Sequence, residues 1–247
     1  MPDGSPGFRL AFEALVMLVA TGFIAGVGLA LRAGGEDASR MRRVVLAAGA
    51  ALALWLAFTG RLAATGFLVF DPFPTMLPLL VGGLVIAFAL AFSRLGGSLA
   101  MDLPLAFLVG YQGFRIPVEL LLHRAHAEGL APVQMTYLGM NFDILTGVTA
   151  LLLAALSRLG PVPRWLLFGW NLVGFGLLVN VVTIAMLSAP MPLRIFWNEP
   201  ANVWVTRFPW VWLPTFLVPL ALLGHLLVWR RIFAQGAGAG TAGSRGT

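Results

Sequence analysis

Seven stretches of the chain are almost unbroken runs of apolar side chains: Leu10 to Leu31, Val44 to Thr59, Phe73 to Phe92, Leu103 to Leu122, Met140 to Leu156, Trp165 to Leu187 and Trp210 to Trp229. A helix needs about 20 largely apolar residues to cross a bilayer. The pattern therefore predicts an all-α, polytopic integral membrane protein with a seven-helix transmembrane domain over residues 1–235. The second and fifth stretches are the shortest. The first is longer than the apolar part of a signal peptide, and Asp3 with Arg9 makes a poor cationic leader, so it reads as a retained helix. From Gly236 to Thr247 the chain runs "GAGAGTAGSRGT", too poor in large apolar side chains to build a core, which predicts a disordered tail.

Charge sharpens this reading. Hydrophobic residues make up 59% of the chain and charged ones only 11%, against about 25% charged in an average soluble domain. All 16 cationic side chains are Arg, the usage of a GC-rich genome. They collect in alternate connections. Arg32, Arg40, Arg42, Arg43, Arg94, Arg158, Arg164, Arg230 and Arg231 fall on one side of the expected membrane, and Arg9, Arg61, Arg124, Arg194 and Arg207 on the other. Positive residues accumulate on the cytoplasmic side. The expected topology thus has an outside amino terminus and a cytoplasmic carboxyl terminus, in a bacterial cytoplasmic (inner) membrane. Arginines placed in this way answer to the lipid bilayer as partner and not to nucleic acid.

On this topology the longer connections, Gly60 to Pro72, His123 to Gly139 and Ser188 to Pro209, lie on the outer face. The last mixes Phe196, Trp197, Trp204 and Trp210 with Arg194, Glu199 and Arg207, a composition suited to the membrane interface. A short echo links two spans. "FPTMLPLL" opens the third and "FPWVWLPTFL" the seventh, as two three-helix units joined by a fourth helix would require. That arrangement is similar in topology to the SWEET sugar transporters, although no SWEET motif accompanies it.

The most informative stretch is "GYQGFRIPVELLLHRAHAEGL", Gly110 to Leu130. At about 100° per residue, Gln112, Arg115, Glu119, His123 and His126 fall within roughly 80° of arc and form one polar stripe on the fourth span. An ionised residue at a membrane helix centre costs about 2.5 to 3.5 kcal/mol on insertion scales, so the stripe should face other helices or a wet cavity. Arg115 and Glu119 are expected to meet across one turn, with Pro117 kinking the helix between them. Asn141 and Asp143 open the fifth span at the outer side, Glu13 enters the first from the same side, and Asn180 lies in the outer half of the sixth. These residues could surround one outward-facing cavity floored by Arg115. Asn171 points away from Asn180, and His225 falls near the inner end of the last span, so both read as packing residues.

Several chemistries are excluded by residue type. Without Lys there is no retinal Schiff base, and without Cys there is no disulfide, thiolate metal site or thiol redox step. Paired histidines at one depth for haem, a GxSG serine context, HExxH and a Walker loop are all missing. No cofactor is expected. A metal held by Glu119, His123 and His126, with Asp143 or Glu128 as a fourth ligand, is the weaker alternative. The leading expectation is a proton-linked secondary transporter or permease for a small polar or anionic solute, with Arg115 attracting the solute and Glu119 and His123 exchanging protons. The alternatives are a membrane enzyme acting at the outer leaflet, with Glu119 or Asp143 as base, and a structural subunit that uses the stripe to bind a partner helix or a second copy.

Overall fold

The computed structural model describes residues 4–71 and 74–243, the last eight of these by backbone only. Among them there is no strand. Helix α1 spans Pro6–Ala33 and α2 Ala38–Ala64, followed by α3 Met76–Phe92, α4 Arg94–Met101, α5 Leu105–Gly110, α6 Arg115–Ala127, α7 Ile144–Leu159, α8 Arg164–Leu187 and α9 Val218–Gly243. Each expected apolar stretch falls on a helix. By length and composition five helical units can cross a membrane, with α5 and α6 joined as one, and the bent pair α3–α4 makes a sixth. The fifth stretch is a correction: α7 starts only at Ile144 and has 16 residues, about 24 Å at 1.5 Å per residue. Asn141 and Asp143 are spent on the turn before it. The tail expected at 236–247 lies outside the fully described residues, as does Phe73 of the paired "FP" echo.

Local chemistry sets the boundaries. Ser5 caps α1 by accepting from the Phe8 amide, with Pro6 at the first helical position, where a missing N–H costs nothing. Asp37 caps α2 through Oδ1, which accepts from the Ser39 and Arg40 amides. Ser93 both ends α3 and starts α4: its hydroxyl donates to the Leu90 carbonyl at 2.7 Å and accepts from the Gly96 amide at 3.0 Å. One residue thereby supports the 70° bend between the two helices. Carbonyls left open around the bend are taken by the end of α9. Arg230 donates to Ala91 and Ser93, and Arg231 to Leu103, as cations near helix carboxyl ends favour.

Pro117 acts before its own position. It has no N–H for the Gly113 carbonyl, and the chain answers with a 3-10 turn over Tyr111–Phe114 between α5 and α6. Proline also shapes the last helix. Leu213–Leu217 forms a π-helical segment ahead of α9. The carbonyl of Thr215 would normally accept from residue 219, which is a proline, so the indole of Trp55 donates to it at 2.9 Å. Trp212 returns the contact by donating to the Leu56 carbonyl at 3.0 Å. These two bonds fasten α2 to the bundle.

Helix α9 forms the axis, with α3, α4 and α8 packed along it, while α1 packs on α2, α4 and α6, and α5 and α6 pack on α7. The best membrane-length window of α9 is 67% buried, against 17% for α2. The distribution of polarity runs opposite to that of a soluble protein. Leu18, Phe92, Leu152, Leu159 and Val173 face outward, whereas Gln112, Arg115, Glu119, Asn141, Asp143, Asn171 and His225 are buried. An apolar exterior around a polar interior is what hydrocarbon surroundings require.

Candidate functional site

The polar interior is one connected chain of side chains drawn from four elements. Arg115, the first residue of α6, is 2% exposed. Its Nε donates to Asp143 Oδ2 at 2.5 Å, and its Nη2 forms an ion pair with Asp143 Oδ1, a two-point grip on the carboxylate. Nη1 lies 2.8 Å from His225 Nε2 and 3.5 Å from the Gly174 carbonyl. A guanidinium can only donate, so His225 Nε2 must accept and the ring proton sits on Nδ1. From there it is donated to Asn171 Oδ1 at 2.8 Å, while Asn171 Nδ2 donates to the His225 carbonyl at 3.0 Å. Asn171 thus fixes the tautomer that Arg115 needs.

At the other end the chain passes through the turn before α7. The Asp143 amide donates to Asn141 Oδ1 at 3.1 Å, and Asn141 Nδ2 donates to Glu119 Oε1 at 2.7 Å and to the Met135 carbonyl at 3.1 Å. The expected Arg115–Glu119 bridge is therefore not the pair that forms. Side chains lean toward the amino end of their helix, so Arg115 reaches away from Glu119, and an arginine preceding a glutamate is the weaker orientation for a bond across a turn. Asp143, at the start of α7, offers both carboxylate oxygens instead. Glycine allows the close fit at Gly174, where a Cβ would stand 2.8 Å from both His225 Cε1 and Thr146 Cγ2.

One wall of this cluster opens on a cavity. It is lined by Arg115, Glu119 and Asp143 together with Asn202, and otherwise by apolar side chains of α3, α6, α8 and the start of α9. It leaves about 80 Å³ for water-sized centres, room for several waters at roughly 10–15 Å³ each. Its half-exposed lining includes Leu77 and Leu80 of α3 and Val182 and Met186 of α8. Phe114, Pro214 and Val218 are half-exposed in the lining as well. Two acceptor oxygens in the lining residues, Glu119 Oε2 and Asn202 Oδ1, are buried and have no hydrogen-bond partner among the described residues, whereas Arg115 Nη2 is held by its ion pair with Asp143. The other half of each group is already used: Glu119 Oε1 accepts from Asn141, and Asn202 Nδ2 donates to the Ala185 carbonyl at 2.9 Å.

The remaining expected residues are dispersed. Gln112 is buried and donates to the carbonyl of Ala221, a lining residue, at 2.9 Å, but does not itself line the cavity. Asn180 spans two elements by donating to the Met140 carbonyl at 2.9 Å, and Glu13 is half-buried on α1; neither lines the cavity. His123 stacks on Tyr137 with ring centroids 4.8 Å apart. His126 Nδ1 faces the Ala131 carbonyl at 2.9 Å. Glu119, His123 and His126 do not converge as metal ligands, and no group of three such side chains is found among the described residues.

His225 and Asn202 had not been expected in the site. His225 was expected near the far end of the last span, but it sits near the middle of the helical stretch Leu213–Gln235, and Arg115, leaning toward the amino end of α6, reaches it. Asn202 belongs to the aromatic loop before the last span, whose composition suited the membrane interface; a lone asparagine among tryptophans carried no further signal.

The fold and site together define a protein that is all-α among the described residues, with helices long and apolar enough for a bilayer, enclosing a continuous polar cluster beside a cavity. Residues 72–233 match the family described as Domain of unknown function (DUF8737), and the chain belongs to that family. No curated protein and no solved structure matches it. The matched stretch contains the whole cluster from Arg115 to His225, whereas α1 and α2 precede it.

Proposed function

We propose that this is an integral membrane protein that receives an amphipathic molecule from the bilayer through the gap between α3 and α8 and holds its polar end at Glu119 and Asn202. The carrying observation is that two acceptor oxygens, Glu119 Oε2 and Asn202 Oδ1, are buried without a hydrogen-bond partner among the described residues, in the lining of a cavity that is apolar apart from these residues and the Arg115–Asp143 pair. Leaving such atoms unsatisfied costs about 1 to 3 kcal/mol each. A ligand with an alkyl body and a hydroxyl or ammonium head would satisfy them. Arg115 is not available for an anionic solute, because Asp143, His225 and the Gly174 carbonyl already surround its guanidinium. Its role in this reading is to hold α6, α7, α8 and α9 together behind the cavity.

The orientation that goes with this proposal puts the amino terminus outside. The Ser5–Glu128 contact places the start of α1 beside the end of α6, and Arg230 reaches the end of α3, as that orientation requires. Proton-linked transport is the second reading. The hydrogen-bonded chain runs on past Arg115 through His225 to Asn171, the inward continuation of polar groups that a transport path needs.

The test is ligand-induced thermal stabilisation of detergent-purified protein by dodecanol and dodecylamine, with dodecane as control. Both polar amphiphiles should stabilise the wild type, and Glu119→Leu with Asn202→Leu should weaken them at least tenfold. Equal effects of dodecane, or indifference to both substitutions, would sink the proposal. Glu119→Gln keeps an oxygen for Asn141 and is expected to fold at normal abundance. Proton uptake by proteoliposomes that disappears in Glu119→Gln would establish transport.

A further inference from the structure

A groove between α1 and α2 lies outside the cluster and, apart from Trp212, outside the family-matched residues. Helix α2 is fully buried only in its final part, at Leu56, Thr59, Gly60 and Ala63, next to Trp212 and the Trp55–Thr215 bond. Over its first two-thirds it rests on the bundle through half-buried side chains, Met41, Val44, Val45 and Leu52. A groove results, lined on α1 from Met17 to Arg32 and on α2 from Met41 to Ala57, with Trp212 among its lining. Its volume is about 1090 Å³. Sixteen residues of α1 correspond to about 24 Å of groove at 1.5 Å per residue, longer than the ~15 Å half-thickness of a hydrocarbon core. Gly49, with nothing within 4 Å of its Cβ position, and Ala53 leave its middle open.

The polar groups of the groove are not evenly spread. Two guanidiniums, Arg32 and Arg42, line one end, and the rest is apolar apart from Thr21. Neither guanidinium has a hydrogen bond or ion pair among the described residues, whereas that of Arg40 nearby is held by Glu36 at 2.9 Å. This end carries the dense arginine cluster that marks the inner face. A membrane already fills any lipid-facing groove with alkyl chains. Two unpaired guanidiniums at the headgroup level add a preference for negative charge, because arginine pairs well with phosphate oxygens and basic residues between membrane helices on the cytoplasmic side suit anionic headgroups.

We propose that the α1–α2 groove is a binding site for one anionic phospholipid of the inner leaflet, its phosphate between Arg32 and Arg42 and one acyl chain running along the groove toward Trp212. The lipid would support α2 along the length that the protein itself covers only in part. It would also touch Trp212, which bonds to α2 and stands one residue before the π-helical segment. The groove shares no lining residue with the Glu119 cavity, although Trp212 of the groove precedes Leu213 and Pro214 of the cavity in the chain.

The experiment is native mass spectrometry of protein reconstituted with equal phosphatidylglycerol and phosphatidylcholine, then stripped by increasing detergent exchange. Phosphatidylglycerol should be retained at one equivalent, at least tenfold over phosphatidylcholine. Arg32→Ala with Arg42→Ala should abolish that preference, and Arg32→Lys with Arg42→Lys should restore part of it. Gly49→Trp, which fills the groove and keeps both arginines, should lower retention as well. Equal retention of the two lipids overturns the proposal. So does a preference that survives both the double alanine variant and Gly49→Trp, which would locate it at other arginines. A dimer that Gly49→Trp converts to monomer would give the groove to a second copy of the chain and also overturn it. Dodecylamine stabilisation should be unchanged in the double alanine variant, so failure here is distinguishable from failure at the Glu119 cavity.

Discussion

Arg115 and His225, 110 residues apart, meet at 2.8 Å in the centre of the bundle. Because arginine has only donors to offer, the contact makes His225 an acceptor at Nε2 and commits its Nδ1 proton to Asn171. A charged residue, a neutral imidazole and an amide are thereby locked into one arrangement that ties α6, α8 and α9 together.

Removing the counter-charge should be the most damaging single change. Asp143→Ala leaves a buried guanidinium without its carboxylate, and breaking a buried pair costs about 3 to 5 kcal/mol. The expected outcome is a steep fall in folded protein in the membrane, measured by detergent-extracted abundance and melting temperature. Glu119→Gln in the same assay should stay near wild type. Equal loss in both variants would show that Glu119 belongs to the structural lock and not to the cavity.

The histidine can be tested from its neighbour. Gly174→Ala places a Cβ about 2.8 Å from His225 Cε1 and Thr146 Cγ2, and overpacking of this kind costs about 1 to 3 kcal/mol. Thermal unfolding in detergent should show the loss. Gly176→Ala, two residues along the same helix and with nothing near its Cβ position, should be neutral.

The indole bond between Trp55 and Thr215 offers a separate handle on α2. Trp55→Phe keeps an aromatic ring but deprives the Thr215 carbonyl of its donor, for a cost of about 1 to 3 kcal/mol. Hydrogen exchange should rise along α2 and around residues 213–217, with little change in α7. Uniform exchange across the bundle would mean that the contact is not what holds α2.

A pH dependence is expected at the outer end of α1. Partial burial alone would raise the Glu128 carboxyl, but hydrogen bonds from the Ser5 amide and hydroxyl, each 2.6 Å, and from Arg124 outweigh it and hold the group below the ordinary carboxylate range. A depressed carboxylate contributes stability that is full above its unfolded value of about 4.3 and is lost as pH falls through the lower folded value. Proteolytic cleavage near residue 5 by an acid-active protease should therefore increase below about pH 4.3, and Glu128→Gln should remove that dependence. Equal cleavage of the wild type at about pH 5.5 and at about pH 3, both acidic enough for such a protease and on either side of the carboxylate range, would contradict the tether.

Reporter fusions at Gly34 and Arg124 should fall on opposite sides of the membrane, with Gly34 cytoplasmic. Two cytoplasmic signals would remove the orientation on which the inner-leaflet lipid site depends.

By itself the sequence determined the helical class, the positions of the apolar segments, the arginine-rich end and the polar stripe on one face of α6, because these follow from composition and from the 100° step of a helix. It also placed Asn141 and Asp143 beside that stripe in depth. Tertiary structure alone decided that Arg115 grips Asp143 in preference to Glu119, that His225 and Asn171 complete the cluster, and that Asn202 joins Glu119 at the cavity. Those outcomes depend on how far each helix is rotated and slid against its neighbours and on the lean of a long arginine side chain. Periodicity within one helix carries no information about either.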